Sequence, residues 1–303
     1  MAKSRRNKRK FISLLAVIIC LSITSLVFGG SKISDFLSSV TRTSDIGFDK
    51  SSDFVRFIDV GQGDCALIYS NGRSALIDTG TVISANDVCQ TLSEMGITEI
   101  DALMLSHLHS DHTGGVERIV EDFPIKNLIL PELSTFSEGM AAAQLAINSV
   151  TKLGGGVYNA IQGMNFNVGE FEVTVLAAYG EEENENNRSI FAMAEMDGVK
   201  FLFTGDAETK VEKSLLKEGL NLDCDVLKVG HHGSSTSSSE DFLNAVKPEY
   251  AAISVGTGNS YGHPHKEILA SFKKRNTQTF RTDISGDITF FVRDGKITTQ
   301  TEK

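Results

Sequence analysis

LSHLHSDHTGG, residues 105–115, places three of the chain's seven histidines and one aspartate within six positions, directly behind the apolar run DALMLS. Alternate side chains of an extended backbone point the same way, so His107 and His109 can meet one cation. Asp111 and His112, beyond the bend, reach a second cation beside it. The i, i+4 histidine pair of a helical H-E-x-x-H site is absent. Thr113, Gly114 and Gly115 are small enough to let a helix start close behind the ligands.

Outward from this loop, three more polar clusters follow apolar runs. KFLFT leads into Gly205-Asp206, DVLKV into GHHGSS, and AAISV into GTGNSYGHPH. All seven histidines (107, 109, 112, 231, 232, 263 and 265) fall in three of these four loops, and ligands of α/β sheets collect at strand ends. Asp206 is suited to bridge two cations, although Gly-Asp is also a common turn. His231 and His232 point apart if extended, so one ligates while the other faces substrate or supports the site. Asp78 of LIDTG either hydrogen-bonds a ligating imidazole or shapes a turn. His263 and His265, flanking Pro264, either act on a leaving group or oxyanion or form a rigid exposed turn.

The rest of the chain alternates short β runs with amphipathic helices. FVRFIDV, CALIYS, SALIDTG, DALMLS, KNLIL, FEVTVLA, SIFAMAEM, VKFLFTG, DVLKVG, YAAISVG and GDITFFV read as strands. Helices are expected from Ser84 as N-cap to Gly96, over GGVERIVEDF up to Pro124, over SEGMAAAQLAINSVTKL, and near 207–218, 239–246 and 265–275. The pattern implies mixed sheets covered by helices. Cys20, Cys65, Cys89 and Cys224 are far apart, which leaves nitrogen and oxygen to hold any metal.

The N-terminal 30 residues are a different object. KSRRNKRK precedes FISLLAVIICLSITSLVF, an uncharged apolar stretch over residues 11–28, and reads as a signal peptide or a membrane anchor. Its basic flank puts the remainder outside the cytoplasm, as a single-pass membrane protein or a secreted one. Residues 31–52 read as a tether and 53–300 as the folded domain. Residues 1–30 hold six of the 29 Lys and Arg and none of the 39 acids, so residues 31–303 carry a net charge of −16. That sign disfavours a surface that tracks a phosphate backbone.

H-x-H-x-D-H at 107–112, LIDTG before it, TGD at 204–206 and a later histidine together resemble the metallo-β-lactamase superfamily. FIDVGQGDCALI at 57–68, LKVGHHGSSTSS at 227–238 and YGHPH at 261–265 are similar to the soluble hydrolase-like domain of the ComEC competence family. The resemblance spans roughly residues 53–292 and implies an αββα sandwich with two metals in a cleft. It implies His107 and His109 on the first metal, and Asp111, His112 and His231 or His232 on the second, with Asp206 bridging. Residues 113–230 lack the further histidine many members supply to the first metal. Asn187-Arg188-Ser189 matches the Asn-x-Ser of the ComEC-like group, which implies a first site that is weaker, or more oxygen-rich and tolerant of Mn²⁺ beside Zn²⁺.

Two cations imply hydrolysis by a metal-bound hydroxide, with Asp111 or Asp206 taking its proton and His263 or His265 assisting departure. A phosphodiesterase or nuclease-like enzyme acting on a phosphodiester or ester substrate, nucleic acid or cell-wall polymer, is the first expectation. A teichoic-acid or phosphorylcholine esterase, or a non-catalytic metal- or ligand-binding module, is the alternative. No protein partner is evident, and membrane contact is expected through residues 11–28.

Overall fold

Asn71 and Gly72, at φ of 49° and 76°, form the two-residue turn of a hairpin whose twist suits paired strands. They join β2 (Ala66–Ser70) to β3 (Arg73–Ile77), and β2 pairs on its other side with β1 (Asp53–Phe57), all antiparallel. Beyond β3 the sheet changes sense. β4 (Ala102–Met104), β5 (Asn127–Leu130) and β6 (Gly156–Asn159) add in parallel. Parallel neighbours need a crossover, and helices supply it: α1 (Ala85–Glu94), then α2 (Ser110–Thr113) with α3 (Val116–Asp122), then α4 (Met140–Lys152).

The computed structural model describes residues 52–133, 137–180 and 183–303. The expected membrane segment, residues 1–30, and the tether up to residue 51 lie outside them. Among the described residues no helix is long and apolar enough to cross a membrane.

A second sheet repeats the plan. β7 (Asn165–Val168), β8 (Phe171–Ala177), β9 (Phe191–Met196) and β10 (Val199–Phe203) run antiparallel. β11 (Val226–Lys228), β12 (Tyr250–Ile253) and β13 (Gln278–Arg281) then add in parallel through α5 (Thr209–Lys217), α6 (Glu240–Val246) and α7 (Lys266–Lys274). After the single turn α8 (Thr282–Ser285), β14 (Ile288–Arg293) and β15 (Lys296–Thr301) return to the first sheet beside β1. The spatial orders are β15-β14-β1-β2-β3-β4-β5-β6 and β13-β12-β11-β10-β9-β8-β7.

The inner faces of the two sheets share one core. Val55, Phe57, Ile68, Ile77, Met104 and Ile129 meet Val173, Val175, Ala192, Phe201 and Phe203 there. Leu202, Leu227 and Ala251 point the other way and are covered by Val211, Leu215, Phe242, Leu243 and Phe272 of α5, α6 and α7. On the first sheet Leu76, Leu103 and Leu128 alternate with inner-core residues and so face outward. α4 packs on β5 and β6, with α3 between α4 and α1. The result is two stacked sheets with helices on both outer faces.

Two expectations need correction. Ser84 precedes α1 but does not cap it through its side chain; its hydroxyl accepts the Thr81 N–H at 3.1 Å instead. The strands not foreseen, β6, β7, β13 and β15, are the four sheet edges. An edge strand has solvent along one side and carries little hydrophobic alternation, and β15 is exposed or half-buried throughout.

Phe290 of β14 is fully buried and meets the rings of Phe57 (5.9 Å), Phe201 (6.2 Å), Tyr250 (5.8 Å) and Phe280 (5.6 Å), so it joins the two sheets. Phe290→Ala is expected to cost ~3–5 kcal/mol of unfolding free energy, measured by urea denaturation. Phe291→Ala, on the opposite, half-exposed face of β14, should cost clearly less; equal losses would contradict the inter-sheet role.

Candidate metal centre

Five loops converge at the carboxyl ends of β3, β4, β10, β11 and β12. The first carries Asp78, at a φ of 62°, buried with both oxygens engaged. Its Oδ1 accepts the Ser106 N–H at 2.7 Å; its Oδ2 accepts the Ser106 hydroxyl at 2.7 Å and His112 Nδ1–H at 2.8 Å. Asp78 therefore orients an imidazole and ties the β3 and β4 loops together. Gly115, where α3 starts, sits so close to this loop that a Cβ would strike the Thr79 carbonyl oxygen.

Holding a histidine by one ring nitrogen fixes its tautomer and leaves the other nitrogen to ligate. His112 is held by Asp78, His107 by Ser106 Oγ at 3.2 Å from its Nδ1, and His232 by the Ser254 carbonyl at 2.9 Å from its Nδ1. All three thus present Nε2. His109 instead turns its Nδ1 toward His107 Nε2, 3.1 Å away. Two nitrogens on one tetrahedral zinc would lie ~3.3 Å apart for bonds of ~2.0–2.1 Å, so the pair fits a shared cation.

Asp111, His112, Asp206 and His232 each bring one ligand atom within 4.8 Å of the others. His232 Nε2 is 3.2 Å from Asp111 Oδ2 and 3.4 Å from Asp206 Oδ2. His112 Nε2 and Asp206 Oδ1 are 3.4 Å apart, and both are buried without a hydrogen-bond partner. Buried polar atoms are rarely left so; a divalent cation satisfies this donor set. Burial raises the Asp206 carboxyl, but the imidazoles of His232 and His112 outweigh it and hold it well below the usual range. Burial alone would lower His112 and His232, and the carboxylates around them hold both well above the ordinary histidine value. A cation bound here therefore competes with protons.

The adjacent histidines divide as their geometry dictates. His231 and His232 both have left-handed backbone, φ 51° and 53°, which sends the second into the cluster and the first toward the cleft. His231 stands 3.9 Å from Asp206 through Nε2 and contacts Thr236 Oγ1 at 3.0 Å through Nδ1. The cleft, about 510 Å³, is lined by His109, Asp111, Asp206, His231 and His232 together with Gln62, Ser110, Glu138, Asn186, Tyr261 and His263. His263 stacks on Tyr261 with ring centroids 5.6 Å apart. His265 is not among the lining residues: its Nδ1 accepts the Ser235 N–H at 2.9 Å and it stands at the start of α7. Asn187 and Ser189 brace the Asp206 loop, accepting the N–H groups of Glu208 and Asp206, each at 3.0 Å.

Sequence reasoning missed Asp64 and Lys228. Both are buried; Lys228 Nζ lies 2.6 Å from Asp64 Oδ2 and donates to the Val229 carbonyl at 2.9 Å. Asp64 Oδ1 is 3.3 Å from His232 Nδ1, and its Oδ2 is 3.9 Å from His112 Nδ1. Asp64, Asp78 and His112 also form a compact group, but the ammonium of Lys228 already occupies the cation's place beside Asp64. A lysine inside the apolar strand DVLKV was the readable signal, since lysine is almost never buried unpaired. Burial raises the Asp64 carboxyl, and Lys228 foremost brings it below its ordinary value. Its stabilisation is therefore complete above the unfolded value of ~3.9 and is lost as pH falls toward the depressed folded value. Lys228→Met should cost ~3–5 kcal/mol by leaving a buried charge unpaired. The double variant Asp64→Asn/Lys228→Met should recover much of that loss in thermal melts yet bind metal ~10–100-fold more weakly; unchanged metal affinity would show that the pair does not position the ligands.

A family model described as Metallo-beta-lactamase superfamily matches residues 58–257. ComE operon protein 3 of Bacillus subtilis (strain 168) is 30% identical over 256 residues, covering 78% of this chain and 32% of that protein. Competence protein ComA of Neisseria gonorrhoeae is 34% identical over 244 residues, 80% of this chain and 33% of that protein. The chain thus spans about a third of the length of these curated relatives. In fold alone it is similar to the metallo-beta-lactamase fold protein YhfI from Bacillus subtilis, with a TM-score of 0.50 at 12% identity over 82% of this chain and 100% of that one. CmlA, a diiron beta-hydroxylase from Streptomyces venezuelae, gives 0.52 at 12% identity over 80% and 54%. The family match takes in the strands β2 to β12 and each residue of the Asp and His cluster, and the chain belongs to the metallo-β-lactamase superfamily.

Proposed function

We propose that the chain is a binuclear metal-dependent hydrolase of phosphodiesters, with its domain held outside the cytoplasm by residues 11–28. The observation that carries the chemistry is Asp206: one buried oxygen faces His112 and the other His232, and it lines one cleft together with His109. Two divalent cations bound by these residues, Zn²⁺ first and Mn²⁺ second, would supply an activated water and charge neutralisation for an in-line displacement. The solved structure described as a diiron beta-hydroxylase shows that the fold alone does not select hydrolysis. The resemblance to the ComEC competence family, with Competence protein ComA among the relatives, favours nucleic acid or a related phosphodiester as substrate.

The remaining tasks fall to the chain's own groups. Asp111, half-buried at the cleft floor, is held below the usual carboxylate range chiefly by its hydrogen bond with His232 against the opposing effect of burial, and so stands ionised beside the cleft. His263 is driven down to about 4, by burial first and then by His232, His231 and His265. It is neutral at pH 7, which suits a hydrogen-bond donor to a developing oxyanion rather than an acid for the leaving group. His265, turned to the Ser235 loop, has a structural part. Among the described residues no Lys or Arg lines the cleft, and Glu138 does. That acidic rim favours a second reading, an esterase of cell-wall polymer bearing a cationic substituent.

Metal counting on the purified protein, joined to turnover of bis(p-nitrophenyl) phosphate with Zn²⁺ and with Mn²⁺, tests the reading. Metal without turnover of this diester or of a phosphorylcholine ester would leave a binding module. Asp206→Ala is expected to lower turnover by at least ~100-fold with the fold retained; undiminished activity would sink the two-metal mechanism. His263→Ala should lower kcat ~100-fold without changing metal content, while His265→Ala should leave kcat within a few-fold; the reverse order would exchange their parts.

A further inference from the structure

The 3-10 turn Glu185–Arg188 lies between the two halves of the metal centre and is tied to both. Glu185 Oε1 accepts the N–H of Leu108, the residue between His107 and His109, at 3.0 Å, and Ile190 N–H reaches the Ser106 carbonyl at 2.9 Å. From the other side Asn187 and Ser189 accept the Glu208 and Asp206 N–H groups. Asn186 sits among these anchored neighbours with its backbone N–H donated to Asn184 Oδ1 at 3.0 Å. Its side chain is different. Asn186 is 9% exposed, its Oδ1 is buried with no hydrogen-bond partner, and it lines the same cleft as His109 and Asp206.

A buried acceptor without a donor is costly unless something positively charged stands against it. A cation between His107 Nε2 and His109 Nδ1, 3.1 Å apart, would need more donors, and residues 113–230 contain no histidine to add. We propose that Asn186 Oδ1 is the third donor to that cation, with Asp206 shared between the two sites. The inference rests on the binuclear reading. It gives the centre unequal halves. The second site has two imidazoles and two carboxylates, whereas the first has two imidazoles, a neutral amide oxygen and a share of Asp206. A hard, uncharged oxygen narrows the advantage of Zn²⁺ over Mn²⁺ and weakens the site overall. Asn187, which the sequence pattern singled out, holds the Asp206 loop instead.

The full chain, stripped with chelator, is titrated with Zn²⁺ by calorimetry and with Mn²⁺ by the paramagnetic resonance of the free ion. Wild type should take up two ions per chain with unequal affinity. Asn186→Ala should keep the tighter ion and weaken the other by at least ~tenfold, and Asn186→His should tighten that second event for Zn²⁺ more than for Mn²⁺. Should the alanine variant's metal-free melting differ from wild type, Asn186→Asp decides, because a charged isostere must strengthen the weaker event if it ligates. Two ions with unchanged affinities in Asn186→Ala and Asn186→Asp would overturn the Asn186 assignment and leave the binuclear reading intact. A wild-type protein that binds one ion or none would overturn both.

Discussion

Asp64, Asp78 and Asp206 are buried side by side at one end of an apolar sandwich, and each must meet positive charge or a donor. A carboxylate taken from water without such a partner costs far more than a small domain's net stability can bear. Asp64 meets Lys228, Asp78 meets Ser106 and His112, and the Asp206 carboxylate meets the imidazoles of His112 and His232. The loops lie where these pairings hold them. Even so, single oxygens of Asp64 and Asp206 and the Nε2 of His112 lack hydrogen-bond partners. The cluster has donors arranged for cations that side chains alone do not replace.

The fold can assemble such a cluster because both sheets turn from antiparallel to parallel partway across. Parallel strands put their carboxyl ends on one edge, and their crossover helices keep the loops short. β3 and β4 bring Asp78, His107, His109, Asp111 and His112 from one sheet; β10 and β11 bring Asp206, His231 and His232 from the other. Ligands far apart in sequence then meet across the seam between the sheets. Phe57, Phe203 and Phe290 fill that seam below, with Phe57 and Phe203 6.0 Å apart, and so set the distance between the two sets of loops.

The sequence made legible what repeats or concentrates. Eleven strands stood out as apolar runs because each buries at least one face or nearly so, as in the alternation of β8, and the histidine loops stood out because each follows one. The four edge strands did not, since solvent on one side removes the alternation; Asp294-Gly295, at φ 50° and 68°, was nevertheless a readable hairpin turn before β15. Asp64 escaped because a lone acid in a glycine turn looks like any other, and its meaning depends on Lys228, 164 positions away. Asn186 escaped for a similar reason: sequence shows an Asn-Asn pair, and only the fold says which amide braces a backbone and which faces the cleft. His231 and His232 were separable in principle but not in assignment, because the left-handed turn that parts them was not read.

The same charges bear on what the site accepts. Residues 31–303 carry a net −16, and the cleft is lined by Asp111, Asp206 and Glu138 without a lysine or arginine among the described residues. An anionic diester approaching the side chains alone meets repulsion at the rim and at the floor. Cations held between the two loop sets would reverse the sign of the floor, and in a low-dielectric cleft that reversal would outweigh distant surface charge screened by salt. On the proposed reading, substrate affinity and metal loading would be one property, and the weaker cation would govern both. Among the described residues that line the cleft, no lysine or arginine is placed to meet the flanking phosphates of a polymer. On the proposed reading such a cleft would select for the ester itself rather than for the length of chain around it.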